Sequence, residues 1–255
     1  MSLNNFLGKA KEPEWAEEPD ELPEDFDAGL DYRPPARFLI PDRPIITSLD
    51  EVTMEIVSGK GIVEVKDLLN KYHYLPRHNL VGRQVYIKVT GDGEPVSVLA
   101  FTNPIALSIK ARDDWIGWDR DTRFSKINKQ VMHEARFLIL PHIKVPNLAS
   151  HILSKSCKMA RKEWKRKYGD NAVLVESFVD SRYYTGVSYK AAGFHLLGKT
   201  KGYTSMPTGK RTTMWAKKLY GEDAGRAYAT LEPIGTKKYL YYLPLHRYWK
   251  RELLK

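Results

Sequence analysis

The stretch from Glu134 to Gly202 decides how this chain is read. It runs EARFLILPHIKVPNLASHILSKSC (134–157), VLVESFVD (173–180) and YYTGVSYKAAGFHLLGKTKG (183–202). ARFLIL is an apolar run of strand length, closed by Pro141. Asn147 is a candidate N-cap, and Leu148, Ile152, Leu153, Ser156, Ala160 and Trp164 share one face at helical spacing, which predicts a helix to about Tyr168. AVLVESF (172–178) predicts a central strand whose run ends on Asp180. Val187–Gly193 predicts a short helix with Gly193 as its C′ residue, and FHLLGKT (194–200) is strand-like. Polar side chains stand at the ends of these elements: Arg136, Asn147, Ser150, Asp180 and Tyr189. A chain that only built a core would not need them there.

Upstream, Val65, Leu68, Leu69 and Tyr72 predict a helix over Val63–Tyr72. QVYIKV and PVSVLAF flank Thr90-Gly91-Asp92-Gly93-Glu94 and predict a hairpin. Leu49–Val57 reads as a short helix or a strand, and residues 104–132 as a helical or irregular insert containing ARDDWIGWD. Downstream, 203–235 is polar and Gly-rich without an assignable element. KKYLYYLPL is strand-like, and HRYWKRELLK is a basic, aromatic tail. The expected division is an acidic, Pro-rich tail and arm over 1–48, a domain over 49–202 and a C-terminal extension over 203–255.

Charge is unevenly distributed. Residues 1–31 hold ten acidic side chains and two lysines, a net of −8; the total of +10 leaves +18 for the rest. A basic body of this kind predicts a polyanionic partner, DNA first. The acidic tail predicts either a protein-partner segment or an intramolecular competitor for the basic surface. Lys155, Lys158, Lys162, Lys165 and Arg166 on the long helix, with Lys199 and Lys201, are the expected phosphate contacts. No apolar run approaches a membrane span and no apolar leader precedes the body, so the expected location is cytoplasmic, with no membrane partner. The lone Cys157 excludes an intramolecular disulfide and reads as a buried, inert thiol. The histidines show no zinc-type spacing, so no metal ligands are assigned.

These stretches resemble the second half of an acyl-CoA-type N-acetyltransferase (GNAT) fold. Within it they resemble the Mom-type DNA modification proteins of phages and the DruA family of Druantia anti-phage systems. The Mom-type likeness lies in the arginine at the strand start, the Pro-Asn loop, the serine on the helix, the strand ending in Asp and the Gly-x-x-Tyr-x-Ala helix. The DruA likeness lies in HYL, GRQ, RDDWIGW, RFLILP, VPNLASHILS, ESFVD, YKAAGF and GKTKG, all in order. The fold expected is α/β (α+β), a GNAT-like mixed sheet flanked by helices, with an acidic N-terminal tail and a basic C-terminal tail.

The resemblance implies roles residue by residue. Arg136 would hold a phosphate or carboxylate, unless it is a structural ion pair. Ser150 would donate to a carbonyl oxygen, or simply cap its helix. Asp180 would take a proton from an amine or orient it, or else serve as a strand-end turn residue; Tyr189 would protonate a departing thiolate, or else be a core tyrosine with a satisfied hydroxyl. His73 reads as a general base or a metal ligand, with Tyr74 stacking on an extruded base. Trp115 and Trp118 read as a stacking surface or as packing anchors. Asn147, Leu148, Ala149 and Ser150 would hold acetyl-CoA or a related acyl-CoA at a helix N-terminus. GNAT proteins usually place a Gly-rich loop there, whereas this chain has no glycine between Gly117 and Gly169. The function implied is acyl transfer to a nucleobase exocyclic amine, adenine first, in a phage or anti-phage setting. The alternative is a non-catalytic DNA-binding component of a defence or mobile-element system.

Overall fold

A computed structural model describes residues 45–73, 80, 82–104, 109–181, 183–200 and 237–255. The expected acidic tail and most of the arm, Tyr74, Lys201 and the unassigned 203–235 stretch lie outside the described residues. A single 3-10 turn, Leu49–Glu51, leads into β1 (Val52–Val57), so the ambiguous segment is mostly strand. Then come α1 (Lys60–Tyr72), β2 (Gln84–Gly91), β3 (Glu94–Thr102), α2 (Lys110–Ile116) and α3 (Arg120–Gln130). They are followed by β4 (Val131–Ile139), α4 (Leu148–Tyr168), β5 (Leu174–Asp180), α5 (Val187–Ala191) and β6 (His195–Lys199). The chain closes with β7 (Lys238–Pro244) and α6 (Trp249–Leu254).

One seven-stranded sheet runs β1-β2-β3-β4-β5-β7-β6. Among the described residues only β4 and β5 pair parallel, and the other pairings are antiparallel. The β2–β3 hairpin turns on Asp92 and Gly93, both at positive φ (49° and 80°), the primed-turn geometry that suits twisted strands. β7 lies between β5 and β6 although it follows both in sequence. Its residues are buried on both faces, Tyr239 and Tyr241 against one core and Leu240 and Tyr242 against another.

Helices cover both faces. α4 buries Ile152, Leu153, Cys157, Ala160 and Trp164 against Val85, Ile87, Val89 and Val175. Full burial of a side chain such as Leu153 is worth about 1.5–3 kcal/mol. α5 lies beside α4 on this face, placing Tyr189 against the same core. On the other face, α1 packs Val65 and Leu69 on Tyr86 and Val98. There too, α2, α3 and α6 gather Ile116, Ile127 and Leu253 over Leu174 and Tyr242. The basic C-terminal tail is therefore anchored. Trp249 and Leu253 sit one turn apart on α6, with Leu253 fully buried and Trp249 stacked on Trp115 at 4.4 Å.

Candidate active site

The site forms where two strands part. β4 and β5 pair only through Val131–Glu134 and Leu174–Ser177. At the same point β4 carries a bulge against β3: Ala100 faces Arg136 and Phe101 faces Glu134, which leaves Ala135 without a partner. A bulge bends a strand and increases its twist, so β4 turns away from β5 at the bulge. The extra residue also shifts the alternation of side chains. Glu134 stays on the α4 face with Met132, whereas Arg136 pairs with Ala100, whose side chain belongs to the α1-side core.

The gap holds a cavity of about 370 Å³ that reaches both layers of helices. Tyr72 and His73 line it from the end of α1, Ala149 from the start of α4, and Ser188 and Tyr189 from α5. Lys238 lines it from the start of β7. Gly186 begins α5 at φ 79°, and a Cβ there would stand 2.2 Å from the Tyr241 hydroxyl oxygen. Only glycine fits, and this close approach seats α5 on the sheet.

At the apex sits Glu134, 3% exposed. Its Oε2 accepts hydrogen bonds from Ser177 Oγ and from Tyr189 Oη, both at 2.7 Å. Its buried Oε1 has no hydrogen-bond partner among the described residues. Burial pushes the carboxyl above its ordinary range, while the two hydroxyls and Arg136 pull it part of the way back. A buried carboxyl with one satisfied and one open oxygen can accept a proton from a group that enters the cavity. Neighbouring His133 also lines the cavity. Burial first, then the charges of Arg136 and Lys238, bring its pKa down to about 3, so the ring is neutral at physiological pH.

Of the residues expected from sequence, His73, Arg136, Ala149 and Tyr189 meet around this cavity. Asn147, Leu148 and Ser150 line a smaller adjoining cavity of about 240 Å³ at the start of α4, together with Ala149 and Lys144. Asn147 occupies the N-cap position, but its side chain makes no capping bond; its backbone is left-handed, at φ 62°. Ser150 Oγ donates to the Asn147 carbonyl at 3.0 Å, a bond local to the helix start. Asp180 is 1% exposed at the end of β5 and is not among the cavity-lining residues; its carbonyl accepts from the N–H groups of Tyr183 and Tyr184.

The tryptophans work inside the fold. Trp118 is 7% exposed and its Nε1 donates to the Leu253 carbonyl at 2.8 Å; Trp115 lies between Tyr242 and Trp249. Their expected stacking on nucleic acid is corrected to packing, because these contacts occupy the rings. The same RDDWIGW segment supplies a buried ion network. Arg112, fully buried, holds Glu176 at 3.0 Å and Asp113 at 3.0 Å, Arg123 holds Asp113 at 2.9 Å, and Tyr242 donates to Glu176. Lys155, Lys158, Lys162 and Lys165 are exposed on α4; Arg166 is paired with Glu163 at 2.6 Å. Lys199 is exposed at the end of β6, over the Tyr239 ring.

Sequence reasoning left Glu134, His133, Ser177 and Lys238 unassigned. A signal was present for the first: a carboxylate between Val131-Met132 and Phe137-Leu138-Ile139 sits in a strand that is apolar at both ends, where it has to be paired or put to use.

The solved structures that the chain is similar to are acetyltransferases. An agmatine N-acetyltransferase shares 14% identity over 76% of this chain and 100% of its own, at a TM-score of 0.45. A GNAT-family acetyltransferase of Streptococcus pneumoniae shares 12% over 76% and 100%, at 0.43. A Bacillus subtilis acetyltransferase solved with CoA shares 9% over 76% and 99%, at 0.41. No curated protein matches the sequence. The chain belongs to the DruA family: the family model described as Druantia protein DruA matches residues 52–230.

Proposed function

We propose that the cleft between β4 and β5 transfers an acyl group from a thioester donor of the acyl-CoA type to an amine, and that the amine is a nucleobase exocyclic amine, adenine first. The observation that carries this reading is Glu134, a cavity-lining carboxyl whose buried Oε1 has no hydrogen-bond partner among the described residues. The donor substrate supplies an activated carbonyl. Glu134 accepts the amine proton as the C–N bond forms and the C–S bond breaks. Tyr189, hydrogen-bonded to Glu134, hands a proton to the departing sulfur and regains one from the carboxyl, which returns both groups to their starting state. His133 remains neutral and adds no charge to repel the amine. Arg136 provides a cation on the opposite wall.

The residues present fit the acyl end of such a donor. Beyond the bulge, β4 from Ala135 to Ile139 has no β5 partner and lines the cavity that an extended donor chain would enter. At the far end, the α4 start and Lys144 line the smaller cavity and suit phosphates, without the usual glycines. The setting we infer is a phage or anti-phage one.

The test is mass spectrometry of nucleosides from plasmid DNA co-expressed with wild type and with Glu134→Gln. A heavier nucleoside in the wild-type sample alone is expected. Equal amounts with Glu134→Gln overturn its role as base. One observation favours a second reading, a DNA-binding component without catalysis: the loop Pro141–Asn147 contains no glycine to cradle a pyrophosphate. In that case acetyl-CoA produces no heat in calorimetry with the purified protein.

A further inference from the structure

The solvent face of α4 carries Lys155, Lys158, Lys162 and Lys165, spaced three, four and three residues apart. This spacing sets the four ammonium groups in one stripe, opposite Leu153 and Ala160, which face the core. At 1.5 Å per residue the stripe is ~15 Å long. All four are exposed, and none makes an ion pair among the described residues. Of the acids near the helix, Glu163 is held by Arg166 and Asp170 by Arg83.

The C-terminal turn meets the flank of α4 at Arg161. Arg161 lies on the helix flank between Lys158 and Lys165. Its Nη1 donates to the Leu245 carbonyl at 2.8 Å and its Nη2 to Asn171 Oδ1 at 3.3 Å, which ties the turn to α4. Just beyond, Tyr248 is 41% exposed, with the guanidinium of Arg247 4.3 Å and that of Arg251 4.8 Å from its ring centre. This is an exposed cluster of cationic and aromatic groups on the turn that Arg161 holds against the flank of α4.

We propose that this surface binds single-stranded nucleic acid. The α4 lysines neutralise successive phosphates, and an unpaired base extends the Arg–Tyr stack at the turn. A duplex would engage the lysines and leave the stack unused. α4 begins at the cleft, which Ala149 lines, so a strand lying along the helix is led toward Glu134. The direction of travel rests on the acyl-transfer reading; the binding itself does not.

The experiment measures fluorescence anisotropy of a labelled oligothymidylate of twenty nucleotides, and of a duplex of equal length, with the full chain between 50 and 300 mM KCl. Three neutralised phosphates predict a fall of about 2 in the log–log salt slope for the triple variant Lys158→Gln/Lys162→Gln/Lys165→Gln. Tyr248→Ala should weaken single-strand binding roughly fivefold or more with the salt slope unchanged. Both surface variants should bind acetyl-CoA like wild type, so failure of the cleft reading and failure of this one are separable. Unchanged binding by the triple variant overturns the proposal. Equal loss of duplex and single-strand binding in Tyr248→Ala overturns the stacking half. Binding that appears only after deletion of residues 1–31 makes the acidic segment the resident occupant and overturns the proposal for the full chain.

Discussion

Glu134 is held away from water with only half of its acceptor capacity used, and the folded state carries the cost of its charge. Its pKa is raised on folding. The stability it contributes is therefore fully present below the unfolded value near 4.5 and is lost as pH rises through the folded value. Glu134→Gln keeps an oxygen for Ser177 and Tyr189 but carries no charge. We expect this variant to melt higher than wild type at pH 8 and to lose that advantage by pH 4.5, as read by thermal melts across pH. A variant that melts lower at both pH values would mean that the Ser177 and Tyr189 bonds, rather than the open oxygen, dominate the site. Residues that stabilise a protein when removed are characteristic of functional positions. His133 behaves in the opposite sense: its depressed pKa favours the folded state above the unfolded value near 6.5, and that contribution declines as pH falls toward 3.

Among the elements, α5 is the most exposed to a single change. Gly186→Ala would place a methyl group within 2.2 Å of the Tyr241 hydroxyl oxygen, at a φ that disfavours any side chain. The expected cost is about 2–4 kcal/mol by chemical denaturation, together with loss of the Tyr189–Glu134 hydrogen bond, which moves with the helix. Gly193→Ala, also at positive φ, would meet only Leu243 at 3.7 Å and serves as the control for backbone strain alone. Legibility differed among the elements for physical reasons. α4 was readable because its apolar period is long and uninterrupted. The β4 start was not, because Gln130 and His133 break the apolar run and the strand begins at Val131, several residues ahead of ARFLIL. The Ala135 bulge leaves no compositional mark, since one unpaired residue in a strand looks like any other. The face that Arg136 occupies could therefore not be read from alternation. Trp115 and Trp118 were ambiguous because stacking surfaces and packing anchors use the same rings; their partners, Trp249 and Leu253, lie more than a hundred residues away.

In the molecule as a whole, β7 decides whether the cleft exists. It pairs along the full length of β5, from Leu174 opposite Pro244 to Asp180 opposite Lys238. A chain truncated after residue 236 would leave the outer edge of β5 unpaired and uncover Leu174, Phe178 and Tyr189. We expect that truncation to lose cooperative unfolding by circular dichroism and to become protease-sensitive throughout the sheet. A truncated chain that still melts in one sharp transition would show that β1–β6 forms a stable unit without β7. The site thus depends on residues far from it in sequence, even though its chemical groups come mostly from the short stretch Glu134–Tyr189.

The insertion of β7 also sets an order of events during synthesis. β5 and β6 leave the ribosome before the strand that belongs between them. Both run antiparallel to β7 and hence parallel to each other, so premature pairing of β5 with β6 would close the sheet with its middle strand left out. The nascent chain must keep that seam open while the residues between Lys199 and Lys238 are made. Slowing translation across that interval should favour the closed, incomplete sheet and lower the yield of protein with an intact cleft.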